Sequence, residues 1–201
     1  ALLPPELPPP QTVLTPSVVD DMLAFLNRCR RGDGGFCGRD SGPSDLYYTL
    51  FGVHARAWLG QPVDPRSILP LLDRAPAADQ LDYVHACCLA VLQTVAQRPA
   101  AAATTRERVE ACRTADGGYD PNAADVATAY AGFLALAAYT AADAMPPDSQ
   151  ALCRALNPLR SDDGAFRNHP TAARASVTAT AAAVAQYHAV GRDLPADALR
   201  W

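Results

Sequence analysis

The side chains that could do chemistry in this chain fall into three groups. His85 and Cys88 stand three residues apart in an apolar run, a spacing that lets an imidazole and a thiol share one helix face. The plainer reading of His85 is a satisfied core histidine. Asp45 and Asp125 each precede a long apolar run, where a carboxylate suits the positive end of a helix dipole. Arg39 lies in a glycine-rich stretch, and an arginine there either holds an anion or bonds helix C-terminal carbonyls. The aromatics Tyr47, Tyr48, Phe51, Tyr83, Tyr130 and Phe133 either line an apolar channel or fill a core.

The elements that must position these groups are read from a recurring turn. Arg30-Arg31-Gly32-Asp33-Gly34-Gly35-Phe36 returns as Arg113-Thr114-Ala115-Asp116-Gly117-Gly118-Tyr119 and as Arg160-Ser161-Asp162-Asp163-Gly164-Ala165-Phe166. Glycine takes positive φ there, aspartate bonds nearby amides, and the aromatic pins the turn to the core. Asp73 sits where a glycine-free copy belongs, dividing the spacing into 40, 43 and 47 residues. Periods of about 40–47 residues belong to helix-pair repeats. The expectation is an all-α chain of four pairs, each an outer helix, a turn and an inner helix.

Taken in order, residues 1–16 carry six prolines and read as an extended segment ahead of a single domain over 17–201. Outer helices are expected over 17–31, 65–72, from 104 or 105 to the Cys112 turn, and 147–159. Inner helices are expected from 44 or 45 to 59, then over 79–97, 122–139 and 171–190. The inner set is crowded with Ala, Leu, Val and aromatics, as suits helices covered on two sides.

The net charge of −4, from 21 acidic and 17 basic residues, gives no reason to expect nucleic acid. All the basic residues are Arg. Six scattered cysteines without a CxxC read as reduced thiols of a cytoplasmic protein. No apolar run reaches the roughly 18 residues that suggest a transmembrane span. The sequence leaves open whether a segment precedes Ala1.

Gly34-Gly35-Phe36-Cys37-Gly38-Arg39, five residues, then Asp45-Leu46-Tyr47-Tyr48-Thr49 resembles the signature of protein prenyltransferase β subunits. The other turns resemble the wider repeat of the terpenoid cyclases, the squalene-hopene cyclase type among them. The resemblance implies a partial α/α toroid, with Arg39 and Tyr48 holding an isoprenoid diphosphate. It implies a zinc site at Asp45 and at His85 of Asp82-Tyr83-Val84-His85, where the metal would activate an acceptor thiolate. Tyr47 stands where that family keeps a zinc cysteine, so Cys88 is the candidate third ligand. No cofactor is expected unless those three hold zinc. The cyclase motif Asp-x-Asp-Asp is not in the sequence.

The expected function is binding of an isoprenoid or lipid-like chain on a concave face lined by Tyr47, Phe51, Tyr83, Tyr130 and Phe133, with prenyl transfer or cyclisation as the associated chemistry. The alternative is an interaction module that keeps the fold. The Ala-rich helix over 171–190 carries few charges, so self-association or a protein partner is expected there.

Overall fold

Prolines and short polar side chains mark the helix starts, and the computed structural model of the chain follows both signals. It describes residues 8–39, 41–122, 125–196 and 198. In chain order its helices are α1 (Pro10–Val13), α2 (Pro16–Cys29), α3 (Leu46–Trp58), α4 (Leu69–Arg74) and α5 (Tyr83–Val95). They continue as α6 (Pro99–Glu110), α7 (Ala129–Thr140), α8 (Ser149–Ala155) and α9 (Val177–Ala189). Among the described residues there is no named β-strand.

The outer helices α2 and α6 begin on a proline, whose missing N–H is no loss in a first turn. The inner helices α3, α5, α7 and α9 each begin after a polar cap. Asp45, Asp82, Thr128 and Ser176 accept backbone amides of the first turn, which would otherwise lack partners. The inner helices pack in a row, α3 on α5, α5 on α7 and α7 on α9. Fully covered side chains such as Leu50, Leu92 and Leu134 fill the spaces. At the α7–α9 contact the amide of Gln186 donates to the Ala129 carbonyl at 2.9 Å. Its Oε1 lies where a Cβ on Gly132 would come within 2.4 Å.

The recurring turn forms as expected in the first, third and fourth pairs. Gly34, Gly117 and Gly164 have φ of 82°, 88° and 87°. Asp33, Asp116 and Asp163 accept the amide two residues on at 3.0–3.1 Å. Phe36, Tyr119 and Phe166 are buried. Isolated bridges Arg30–Phe36, Arg113–Tyr119 and Arg160–Phe166 close the turns. The aromatic carbonyl then accepts the amide of the next inner helix's cap, Asp45, Thr128 or Ser176, at 2.9–3.1 Å. The turn thereby fixes where the inner helix starts.

Several expectations are corrected. Asp73 is not in a turn: it lies in α4, and its carboxylate pairs with Arg98 at 2.7 Å. With no glycine available, the second connection runs through Pro76 and a 3₁₀ turn, Ala78–Gln80. The proline-rich segment is not uniformly extended, because Pro10 serves as the first residue of α1, where proline fits. Its part over 1–7 lies outside the described residues. The helix α6 starts at Pro99, five residues before the expected Thr104. The helix α7 starts at Ala129, so Asp125 lies in the preceding loop and caps nothing in its first turn.

Candidate functional site

The caps that start α3 and α5 also bring their carboxylates together. Asp45 Oδ1 accepts the amides of Tyr47 and Tyr48 at 2.8 and 3.1 Å. That leaves its Oδ2 free to meet His85 Nε2 at 2.9 Å. Asp82 accepts the His85 amide at 2.9 Å through one oxygen and faces His85 Nδ1 at 2.7 Å through the other. One imidazole thus bridges two helix caps. Partial burial works to lower the His85 pKa, but the hydrogen bonds to Asp45 and Asp82 prevail and hold it above the ordinary histidine value. Burial likewise works to raise the Asp82 pKa, but its bonds from the His85 amide and ring hold it below the usual carboxylate range.

Cys88, the third member of the candidate metal set, is fully buried, and burial pushes its thiol up to about 12. Tyr47 turns its hydroxyl to Tyr130 rather than toward His85. Both ring nitrogens of His85 already face carboxylates. Among the described residues no three His, Cys, Asp or Glu side chains gather in a way that could hold a metal ion.

The other candidates fall into two places. The Tyr48 ring lies against Gly38, where a Cβ would approach its Cζ to 2.3 Å, so Tyr48 sits beside the backbone leading into Arg39. Both side chains are exposed. The aromatics of α3 and α7 meet across the face of α5. Tyr47 Oη and Tyr130 Oη are 3.1 Å apart. The Tyr47 ring packs on Phe51 at 4.8 Å between centroids, and Tyr130 on Phe133 at 5.9 Å. All four remain partly exposed, Phe51 by 39%. Tyr83 belongs instead to the core: it is 2% exposed, and its hydroxyl donates to the Ala131 carbonyl at 2.7 Å.

Two clefts open at this end of the inner helices. One, of about 730 Å³, lies between the first turn and the second connection, with Asp45, Leu46, Leu71, Arg74, Pro76, Leu81 and His85 among its walls. The other, of about 380 Å³, lies between the first turns of α5 and α7. Tyr83, Val84, Tyr130 and Leu134 form its apolar side, and Asp120, Asn122, Thr128 and Asn168 its polar edge. Neither is lined by Arg39 or Tyr48.

Two functional placements escape sequence reasoning. Asp82 orients His85, although the Asp-x-x-His spacing held that signal. Asn168 accepts the Tyr130 amide at 2.9 Å through its side chain and the Ala129 amide at 3.0 Å through its carbonyl. It comes from a loop 38 residues away, and no local pattern marks it.

Paired outer and inner helices, stacked in a row and joined by glycine-aspartate-aromatic turns, define an α/α toroid repeat. A sequence model of the prenyltransferase alpha-alpha toroid domain matches residues 11–80 and 79–195, and the chain belongs to that family. No curated protein sequence matches it. Among the described residues no helix is long and apolar enough to cross a membrane.

Proposed function

We propose that the protein binds an isoprenoid or similar lipid-like chain at the first turns of α5 and α7. The cleft of about 380 Å³ carries this reading. It joins an apolar wall, Val84, Tyr130 and Leu134, to a polar edge, Asp120, Asn122, Thr128 and Asn168, as an amphipathic ligand requires. The partly exposed aromatics Tyr47, Phe51 and Phe133 continue the apolar surface beside it. Prenyl transfer or cyclisation is the family-level chemistry. In this chain the residues at hand favour holding a substrate, without metal or other cofactor, over activating one. The six cysteines are buried thiols rather than disulfides, which suits a reducing, cytoplasmic setting.

Titration with farnesyl diphosphate, followed by tryptophan fluorescence and calorimetry, tests this. Saturable binding that is lost in Val84→Arg, with unchanged melting, supports the reading. Absence of binding by farnesyl diphosphate and by farnesol overturns it.

The exposed side of α9 favours a second reading, docking of a protein partner or a second copy. Val177 is 72% exposed, and Thr178 and Ala181 near it are exposed and uncharged. Light scattering decides: a mass above the monomer that Val177→Arg abolishes supports association, and a monomer at tens of micromolar removes it.

A further inference from the structure

The position after the turn aromatic is held in the same way in all three regular turns, yet it carries a different side chain each time. The amides of Cys37, Asp120 and Arg167 donate to the Cys29, Cys112 and Leu159 carbonyls at 3.0, 3.1 and 2.8 Å. A thiol, a carboxylate and a guanidinium all occupy this place, so the turn itself does not require an aspartate. Asp120 is nonetheless only 5% exposed, and it is a wall of the cleft of about 380 Å³. Its Oδ1 accepts the Asn122 amide at 2.8 Å, and its other oxygen has no partner among the described residues. A largely buried carboxylate oxygen without a donor is unfavourable, and a donor carried in by a ligand relieves that.

The rest of the cleft is poorly made for an anion. Its described walls include no arginine, and the chain has no lysine. A helix N-terminus can hold an anion only through open amides, and the first turn of α7 has spent its own. The Ala129 and Tyr130 amides donate to the carbonyl and the side chain of Asn168, and the Ala131 amide donates to Thr128 Oγ1 at 3.2 Å. The cap of α5 is itself a carboxylate, Asp82. Asn122 and Asn168 at the polar edge are exposed and neutral, so they can orient a head group but supply no countercharge.

We propose that Asp120 anchors the head group, so that the cleft takes a chain ending in a hydrogen-bond donor, a hydroxyl or an ammonium, and disfavours the corresponding diphosphate. This rests on the lipid-binding reading above and specifies its ligand class. The chain lies along Val84, Tyr130 and Leu134, and the head group donates to the second oxygen of Asp120. An ammonium adds a full charge to that hydrogen bond, so it is the stronger of the two heads.

The test compares farnesylamine, farnesol and farnesyl diphosphate by calorimetry in one buffer, on the wild type and on Asp120→Asn. The asparagine keeps an oxygen for the Asn122 amide and removes the charge, and Asp120→Ser is a second route to the same loss. Circular dichroism melting establishes that each variant is folded. The wild type is expected to bind the amine about tenfold or more tighter than the diphosphate, with the alcohol between them. In either folded variant the advantage of the amine over the diphosphate should shrink about tenfold. A wild type that binds the diphosphate as tightly as the alcohol and the amine overturns the head-group assignment and leaves the lipid-binding reading standing. An amine preference that persists in the folded variants overturns the assignment to Asp120. If neither farnesol nor the diphosphate binds, the two readings fall together.

Discussion

Three of the four connections between an outer and an inner helix share one backbone pattern, and the second connection departs from it. In the regular three, the turn-closing and cap-holding amide bonds all fall between 2.8 and 3.1 Å. Each has a glycine at positive φ and an aspartate bonded to the next-but-one amide. In the second, Ala75 to Asp82 bypasses that geometry, and the cleft of about 730 Å³ opens against it. The irregular connection borders that larger cleft, and His85 and Asp45 line it.

The sharpest break in the comparison comes from the first turn. A Cβ on Gly34 would lie 1.6 Å from the Ser67 carbonyl oxygen, in a residue whose φ is already 82°. Gly34→Val is expected to cost more than about 3 kcal/mol in urea unfolding, from strain and backbone displacement together. Gly60 has φ of 77° but nothing within 4 Å of its Cβ position. Gly60→Ala should therefore cost only about 1 kcal/mol. Equal costs would show that close packing does not distinguish these sites.

The third turn has an additional anchor. Glu110 accepts Tyr119 Oη at 2.7 Å and Tyr139 Oη at 2.8 Å, and it pairs with Arg113, whose Nη1 donates to the Gly117 carbonyl at 2.9 Å. Burial works to raise the Glu110 pKa, but these donors hold it below the ordinary value. Its stabilisation is thus present above the unfolded carboxylate pKa and is lost as pH falls through the lower folded value. Glu110→Gln should cost about 1–3 kcal/mol at neutral pH and flatten the acid limb of the stability curve. An unchanged acid limb would remove Glu110 from this role.

Two aspartates that look alike in sequence sharpen the contrast. Asp116 accepts the Gly118 amide at 3.1 Å and the Ala127 amide at 3.1 Å inside a regular turn. Asp73 makes an ion pair with Arg98 while 59% of its side chain is exposed. Asp116→Ala should cost about 1–2 kcal/mol, and Asp73→Ala no more than about 0.5 kcal/mol. Thermal melting of both variants in one buffer measures the difference, and a larger shift for Asp73→Ala would return it to a turn role.

The turns were legible because glycine, aspartate and an aromatic at fixed offsets leave few backbone solutions. Asp73 is ambiguous in sequence because a carboxylate ending a helix and one starting a turn have the same local neighbours. The start of α6 carries no sequence signal of the capping kind, because Pro99 opens it without a capping side chain. At the site, the meeting of Asp45 with His85 followed from the family resemblance. The burial of Cys88 did not follow from spacing: three residues span about 300° of helix, so sharing a face with His85 holds only loosely. His85 lies in the exposed first turn of α5, and Cys88 lies one turn deeper, within the core shared with α3. The Tyr47–Tyr130 contact has no sequence signal, since it depends on how three helices stack.

A comparably small effect, visible through its pH dependence, belongs to His85. Its folded pKa is raised, so its contribution is fully present below the unfolded value of about 6.5 and is lost as pH climbs through the folded value. Asp82 has a lowered pKa, so its own loss falls in the acid range and does not overlap. About a third of the His85 side chain is exposed and the Asp82 carboxylate more so, and solvent screening limits the gain. A contribution of about 0.5 kcal/mol is expected. The measurement is the difference in melting temperature between wild type and His85→Gln, taken from about pH 6 to about pH 8.5. The wild type should melt higher at the acid end, and the gap should close toward the alkaline end. A chelator, or one equivalent of zinc, should leave both curves in place, because the described donors do not complete a metal site. A gap independent of pH would mean that His85 acts through packing, and a rise on adding zinc would point to a metal held by Asp45, His85 and Cys88.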